Sequence, residues 1–240
     1  MAFSDPQFWL AALQIVAIDL VLGGDNAVII ALACRRLPEK QRNLGIFWGV
    51  FGAIAIRIIL VFFAINLLAL PYLKLVGAML LVWIGIKLLL PEPSEPTHEV
   101  DASVSLLGAI KTIIIADAVM SLDNVIGIAG AARGDLTLVI FGLLVSVPII
   151  VWGSKLVMKL MNRFPIVIFI GAGLLGWIAG TMAITDSVTI DWVNAHAAFL
   201  HWVMPVGMAL TVILAGKWLT ARAQKREIAL VDLTDDTPKK

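Results

Sequence analysis

The chain has 240 residues, 60 % of them hydrophobic and only 15 % charged, with a mean hydropathy of +0.98. Soluble domains run near 45–50 % apolar and about 25 % charged, so an ordinary globular fold is excluded. The 18 basic and 17 acidic residues leave a net charge of +1, which excludes a strong nucleic-acid footprint, and the single cysteine, Cys34, excludes an intramolecular disulfide and a thiolate zinc cluster.

Seven stretches are long and apolar enough to cross a bilayer: about residues 8–33, 44–69, 71–90, 104–131, 136–158, 164–184 and 200–219. Backbone amides in hydrocarbon must bond within their own segment, and these runs lack the alternation of barrel strands, so an all-α polytopic membrane protein with seven transmembrane helices is expected. Residues 1–220 read as one membrane domain and 221–240 as a cytoplasmic tail, expected to be mobile. The first span lacks a basic start and a small-residue cleavage site, so it is expected to remain in the mature protein.

Lysine and arginine set the direction. Arg35, Arg36, Lys40 and Arg42 follow span one; Lys155, Lys159 and Arg163 close span five; Lys217, Arg222, Lys225 and Arg226 close span seven. The opposite connections hold Lys74, Arg133, Asp135, Asp186 and Asp191, with Asp5 at the start. This bias predicts a multi-pass protein of the cell membrane with its N-terminus outside and its C-terminus in the cytoplasm. The loop between spans three and four is acidic, which counts little, and Lys87 and Lys111 beside it agree with a cytoplasmic side.

The chain also contains itself twice. Asp19, Asp25, Asn26 and Arg57 recur as Asp117, Asp123, Asn124 and Lys155 at an offset of 98 residues, and Pro71, Gly77 and Trp83 recur as Pro165, Gly171 and Trp177 at an offset of 94. Spans one to three thus match spans four to six, with span seven added. Three spans per unit insert the second unit upside down, and inverted repeats of this kind mark transporters with a midplane site.

Four carboxylates, Asp19, Asp25, Asp117 and Asp123, therefore fall in the middle of spans one and four. Each costs about 2.5–3.5 kcal/mol at the bilayer centre on insertion scales, so a function is expected for them. Seven residues return almost to the same helix face, so Asp19 and Asn26 share one face, and Asp117 and Asn124 another; Asp25 and Asp123 lie off it unless the helix unwinds. Gly23-Gly24 makes unwinding cheap in span one, where close helix packing is the alternative use of the two glycines. Ser121-Leu122 at the matching place makes a break in span four less expected. Crossed spans should pair Asp19 with Asp123 and Asp25 with Asp117 in depth. Arg57, near the middle of span two, either holds the empty site together or sets its charge. Carboxylate and amide oxygens without cysteine suit a hard divalent ion, Mn²⁺, Mg²⁺ or Ca²⁺, with protons able to replace it.

The segments LGGDNAVIIALACRRLP and DAVMSLDNVIGIAGAARGD resemble the paired signature of the TerC family of integral membrane proteins, in its YjbE-type branch, over roughly residues 8–220. The resemblance implies manganese efflux, with Asp25, Asn26, Asp123 and Asn124 lining the cation path and Asp19 and Asp117 nearby. It also raises Mn²⁺, as transported ion and not as prosthetic group, above Mg²⁺ and Ca²⁺. The rival readings are a membrane metal sensor or a metal-delivery protein for exported enzymes, and a tellurite-resistance protein acting on an oxyanion, which four acids would repel. An enzyme is not expected: Gly23-Gly24-Asp25 departs from the Gly-x-Gly-Asp pattern of intramembrane aspartyl proteases, and four acids with two asparagines exceed a dyad's needs. A retinal protein is not expected either, since span seven has no central lysine.

Smaller features have plain uses. Gly45-x3-Gly49 and Gly176-x3-Gly180 match the close-packing pattern, with packing inside one chain expected ahead of a homodimer seam. Trp9, Trp83, Trp192, Trp202 and Trp218 fall near the expected interfaces as anchors. His196 and His201 precede span seven on the outer side, and Cys34 is expected to be a small packing residue.

Overall fold

The computed structural model describes residues 6–68, 70–90, 100–132 and 134–235, all of whose regular structure is helical. The helices are α1 (Pro6–Leu22), α2 (Asn26–Cys34), α3 (Glu39–Phe62), α4 (Ala64–Leu68), α5 (Leu73–Leu89), α6 (Val100–Ala132), α7 (Leu136–Arg163), α8 (Ile166–Ile184), α9 (Ile190–His196) and α10 (Leu200–Asp235). Asp5, Arg133 and nearly all of the acidic loop lie outside the described residues.

Five of these helices are long and apolar enough to cross a membrane: Glu39–Phe62, Leu106–Ala132, Leu136–Arg163, Ile166–Ile184 and Leu200–Arg222. A sixth span results if Pro6–Val21 and Asn26–Cys34, bent by 53° at their junction, count as one. The expected third span becomes α5, whose 17 residues rise only about 26 Å against roughly 30 Å of hydrocarbon. Among the described residues, five or six spans are therefore established by length and composition. At the other end α10 runs past the expected limit of span seven to Asp235, into the segment expected to be a tail.

Local chemistry explains the boundaries. Pro38 sits just before α3 and Pro165 just before α8, where a missing N–H costs nothing. Asp135 caps α7 by accepting from the backbone N–H of Thr137 at 3.0 Å and Leu138 at 3.4 Å. α5 starts at Tyr72, which has φ 65° and no cap of its own. Its cap comes from far along the chain: Asp186, just after α8, accepts from the backbone N–H of Tyr72, Lys74 and Leu75 at 3.1, 3.0 and 3.3 Å and from its own turn at Val188.

Burial acts to raise the pKa of Asp186, but those four donors outweigh it and hold the carboxyl below the usual carboxylate range. A depressed folded-state value stabilises the fold above the ordinary value of about 3.9 and is lost as pH falls through the folded value. Asp186→Ala is expected to lower the melting temperature at pH 7, by about 1–3 kcal/mol of stability, while leaving stability below about pH 3 nearly unchanged. Thermal melts of the two proteins across pH 3–7 check this; parallel curves would remove the ion from the account.

The packing order is reciprocal. α1 lies on α7 and α3 on α6, so the first helix of each sequence repeat meets the second helix of the other, and α5 and α8 lie against each other. α10 covers α8 closely: a Cβ at Gly176 would stand 2.6 Å from the Met208 carbonyl oxygen, and one at Gly180 2.5 Å from Pro205 Cα. On the other stripe, a Cβ at Gly45 would meet Leu37, Cys34 and Leu106, and one at Gly49 would meet Ile113. Both small-residue stripes thus serve contacts inside the chain. Cys34 is fully buried against Gly45.

Candidate functional site

Two apolar cores form between α1, α2, α3, α6 and α7. One holds Ile15, Val61, Val125, Ile128 and Leu143; the other holds Ile30, Val50, Ile113 and Ile150. Between them, at the same level of four helices, lies a layer of polar side chains: Asp19, Arg57, Asp117 with Ser121, and Ser146, all nearly inaccessible to solvent.

Arg57 organises the layer. Its Nη1 donates to Asp19 Oδ1 and its Nη2 to Asp117 Oδ1, and its Nε donates to Ser121 Oγ at 2.9 Å. Ser121 Oγ donates to Asp117 Oδ2 at 3.3 Å, and Ser146 Oγ donates to the second oxygen of Asp19. A planar guanidinium with donors in a fixed fork suits this bridging of two carboxylates, as a lysine ammonium would not. The cluster thus sets two carboxyl groups against one guanidinium.

Beside it the first span breaks. α1 ends at Leu22, and Gly23 and Gly24 carry the chain through a bend before α2 starts at Asn26. A Cβ at Gly23 would stand 2.4 Å from the Asp19 carbonyl oxygen and 2.9 Å from Asn26 Nδ2, so only glycine fits. The break draws Asp25 in until its Oδ1 is buried, and it buries Asn26 as well. Asp25 Oδ1 and both side-chain heteroatoms of Asn26 find no hydrogen-bond partner within the protein. Buried polar atoms are normally paired, so three orphans at one helix break next to two carboxylates are the feature that asks for a ligand. A cavity opens from Asn26, Arg57 and Asp117 and is otherwise walled by aliphatic side chains, among them Ile30, Val50 and Ile113.

α6 does not break. Six residues of unbroken helix rotate by about 600°, which leaves Asp123 roughly 120° away from Asp117. Asp123 accordingly points out of the cluster: its side chain is 43 % exposed and ion-paired with Lys74 at the start of α5. Asn124, seven residues from Asp117, stays on the inner face and is buried. Of the two expected pairs, Asp19 with Asp123 is replaced by another arrangement, in which Asp19 and Asp117 are joined through Arg57 and Asp123 turns to Lys74. Among the described residues no three of His, Cys, Asp and Glu stand close enough to share a metal ion.

Ser146 escaped the sequence reading, although a hydroxyl in the middle of an apolar span was the signal available; Ser121 was noticed only as the residue replacing a glycine. Lys155, the repeat partner of Arg57, is exposed near the end of α7 and takes no part. His196 stacks on Trp192, and His201 meets Asn194 Oδ1 at 2.8 Å. The five interfacial tryptophans are all exposed on the surface.

The integral membrane protein TerC family model matches residues 4–224. The chain is 43 % identical to the uncharacterized membrane protein YjbE of Bacillus subtilis, over 87 % of this chain and 94 % of that one. It is 28 % identical to a UPF0053 protein of Haemophilus influenzae, over 82 % and 90 % of the two chains, and 20 % identical to the uncharacterized membrane protein YkoY of Bacillus subtilis, over 89 % and 72 %. No solved structure matches the chain. The family match spans residues 4–224 and takes in every residue of the polar layer: the protein belongs to the integral membrane protein TerC family.

Proposed function

We propose that the protein is a carrier, not an enzyme, that exports a divalent cation, Mn²⁺ ahead of Mg²⁺ and Ca²⁺, from the cytoplasm. The observation that carries the reading is the buried layer in which a single guanidinium bridges Asp19 and Asp117 beside the unpartnered side-chain atoms of Asp25 and Asn26. Two membrane-depth carboxylates demand a cation, and Arg57 supplies it from within the chain. A metal ion with oxygen ligands can take that place only if Arg57 withdraws and Asp25 turns inward about the glycine break. Asp19, Asp25, Asn26 and Asp117 would then offer the hard oxygen set that suits such an ion. Mn²⁺ is put first by the family resemblance; oxygen ligands alone do not rank the three.

The reciprocal packing of α1 on α7 and α3 on α6 supports an inverted repeat, with the polar layer on its axis. The aliphatic cavity next to Arg57 closes the path on the side of Val50 and Ile113, which the basic loops assign to the cytoplasm. Asp123 with Lys74, and Asn124 behind them, form the opposite rim, where the ion leaves. Protons are the natural exchange partner for carboxylates that give up a metal.

Reconstituted in sealed vesicles, the protein should move Mn²⁺ faster with an opposing pH gradient than without. Asp25→Asn and Asp117→Asn should each abolish flux while the protein still inserts, whereas Asp123→Asn should slow it. Wild-type rates from Asp25→Asn would overturn the site, equal rates with and without the gradient would remove proton exchange, and no cation flux at all would remove the carrier.

A further inference from the structure

We propose that the groove between the Glu39 end of α3 and the Arg163 end of α7 binds the headgroup of an anionic phospholipid. Glu39, Arg42 and Asn43 line it from α3, and Lys155, Lys159 and Asn162 face them from α7. On each helix the lining residues, with Ile46 and Met158 as the floor, recur at i, i+3, i+4 and i+7, so two whole helix faces meet across the groove. Three cations against one acid leave it an excess of positive charge.

The two ammonium groups are not consumed by the fold. Among the described residues, neither Lys155 nor Lys159 has an acidic partner within ion-pair distance. Arg42 donates through Nη2 to the carbonyls of Leu37 at 3.2 Å and Arg35 at 3.5 Å, and its Nε is buried without a partner. A phosphate diester with a polar head matches two ammonium groups, a guanidinium and two amides. Large apolar side chains stand exposed on the same two helices beside the groove: Phe47 on α3, and Leu156 and Leu160 on α7. A free phosphate would use only the polar stripe, whereas a lipid uses the stripe for its head and these side chains for its acyl chains. The lining residue of the groove nearest to Arg57 on α3, Ile46, is 11 residues away, about 16 Å, so the groove is separate from the polar layer.

The test is lipid binding by the purified full chain in detergent, read by native mass spectrometry and by titration with phosphatidylglycerol, phosphatidylcholine or inorganic phosphate. Phosphatidylglycerol should bind at least tenfold more tightly than phosphatidylcholine. The Lys155→Gln/Lys159→Gln variant should lose roughly 30-fold of that affinity with an unchanged thermal melt, while Lys217→Gln on α10 should keep it. Equal binding of the two lipids, or full phosphatidylglycerol affinity in the double variant, would overturn the proposal. Inorganic phosphate displacing phosphatidylglycerol at comparable concentration would make the groove a soluble-anion site and overturn it equally. None of these readouts involves metal flux, so the lipid site stands or falls apart from the carrier.

Discussion

Arg57→Gln is expected to cost about 3–5 kcal/mol of stability, because it leaves two buried carboxylates facing each other without their shared cation. The neutral amide keeps much of the volume and some of the hydrogen bonds to Asp19, Asp117 and Ser121, so the loss reports charge more than packing. Two further measurements make the result specific. Adding Asp117→Asn should recover part of the stability, since the remaining acid Asp19 keeps its bond from Ser146. Millimolar Mn²⁺ should raise the melting temperature of Arg57→Gln more than that of the unmodified protein, because the site no longer has to expel its own cation first. If Mn²⁺ protects neither protein, or both equally, Arg57 is a structural bridge between α1, α3 and α6, and the ion does not compete for its place.

The membrane class and the all-helical fold were legible because they rest on composition and spacing, which need no tertiary information. Asp19, Asn26, Asp117 and Asn124 were placed together on helix faces by simple rotation, and all four are buried. Asp123 shows where that reasoning stops. Its position off the face followed from an unbroken helix, but its partner did not, because the Lys74 ammonium reaches it from the start of α5 across the fold. The same holds for Asp186, whose capping of α5 spans more than a hundred residues of sequence and leaves no local signature. The repeat itself misled on one point. It offered Lys155 as the counterpart of Arg57, yet Arg57 lies between the two cores, whereas Lys155 is exposed nine residues along α7 from Ser146, the residue of that helix that joins the layer. A matched offset preserves distance along the chain and not depth in the fold, and nine residues of helix carry a side chain about 13.5 Å from the layer.

The glycine break makes the second large prediction. Gly23→Ala places a methyl group against the Asp19 carbonyl, a backbone atom that cannot swing aside, and against the amide of Asn26. Gly24→Ala meets only the Leu20 carbonyl at 3.1 Å, a contact that a small shift relieves. The two substitutions are the same in composition and in helix propensity, and adjacent in sequence, so their difference isolates the bend. Gly23→Ala is expected to lose about 1–3 kcal/mol through overpacking and to abolish Mn²⁺ flux, while Gly24→Ala should keep most of both. The flux loss should exceed what stability explains: at temperatures where Gly23→Ala is still fully folded, transport should remain absent, because Asp25 and Asn26 no longer sit beside Asp19 and Asp117. Melting curves paired with vesicle flux at one low temperature check this. Equal flux from the two alanine variants would mean that the bend between α1 and α2 is a packing accommodation, and that the carboxylates work without it.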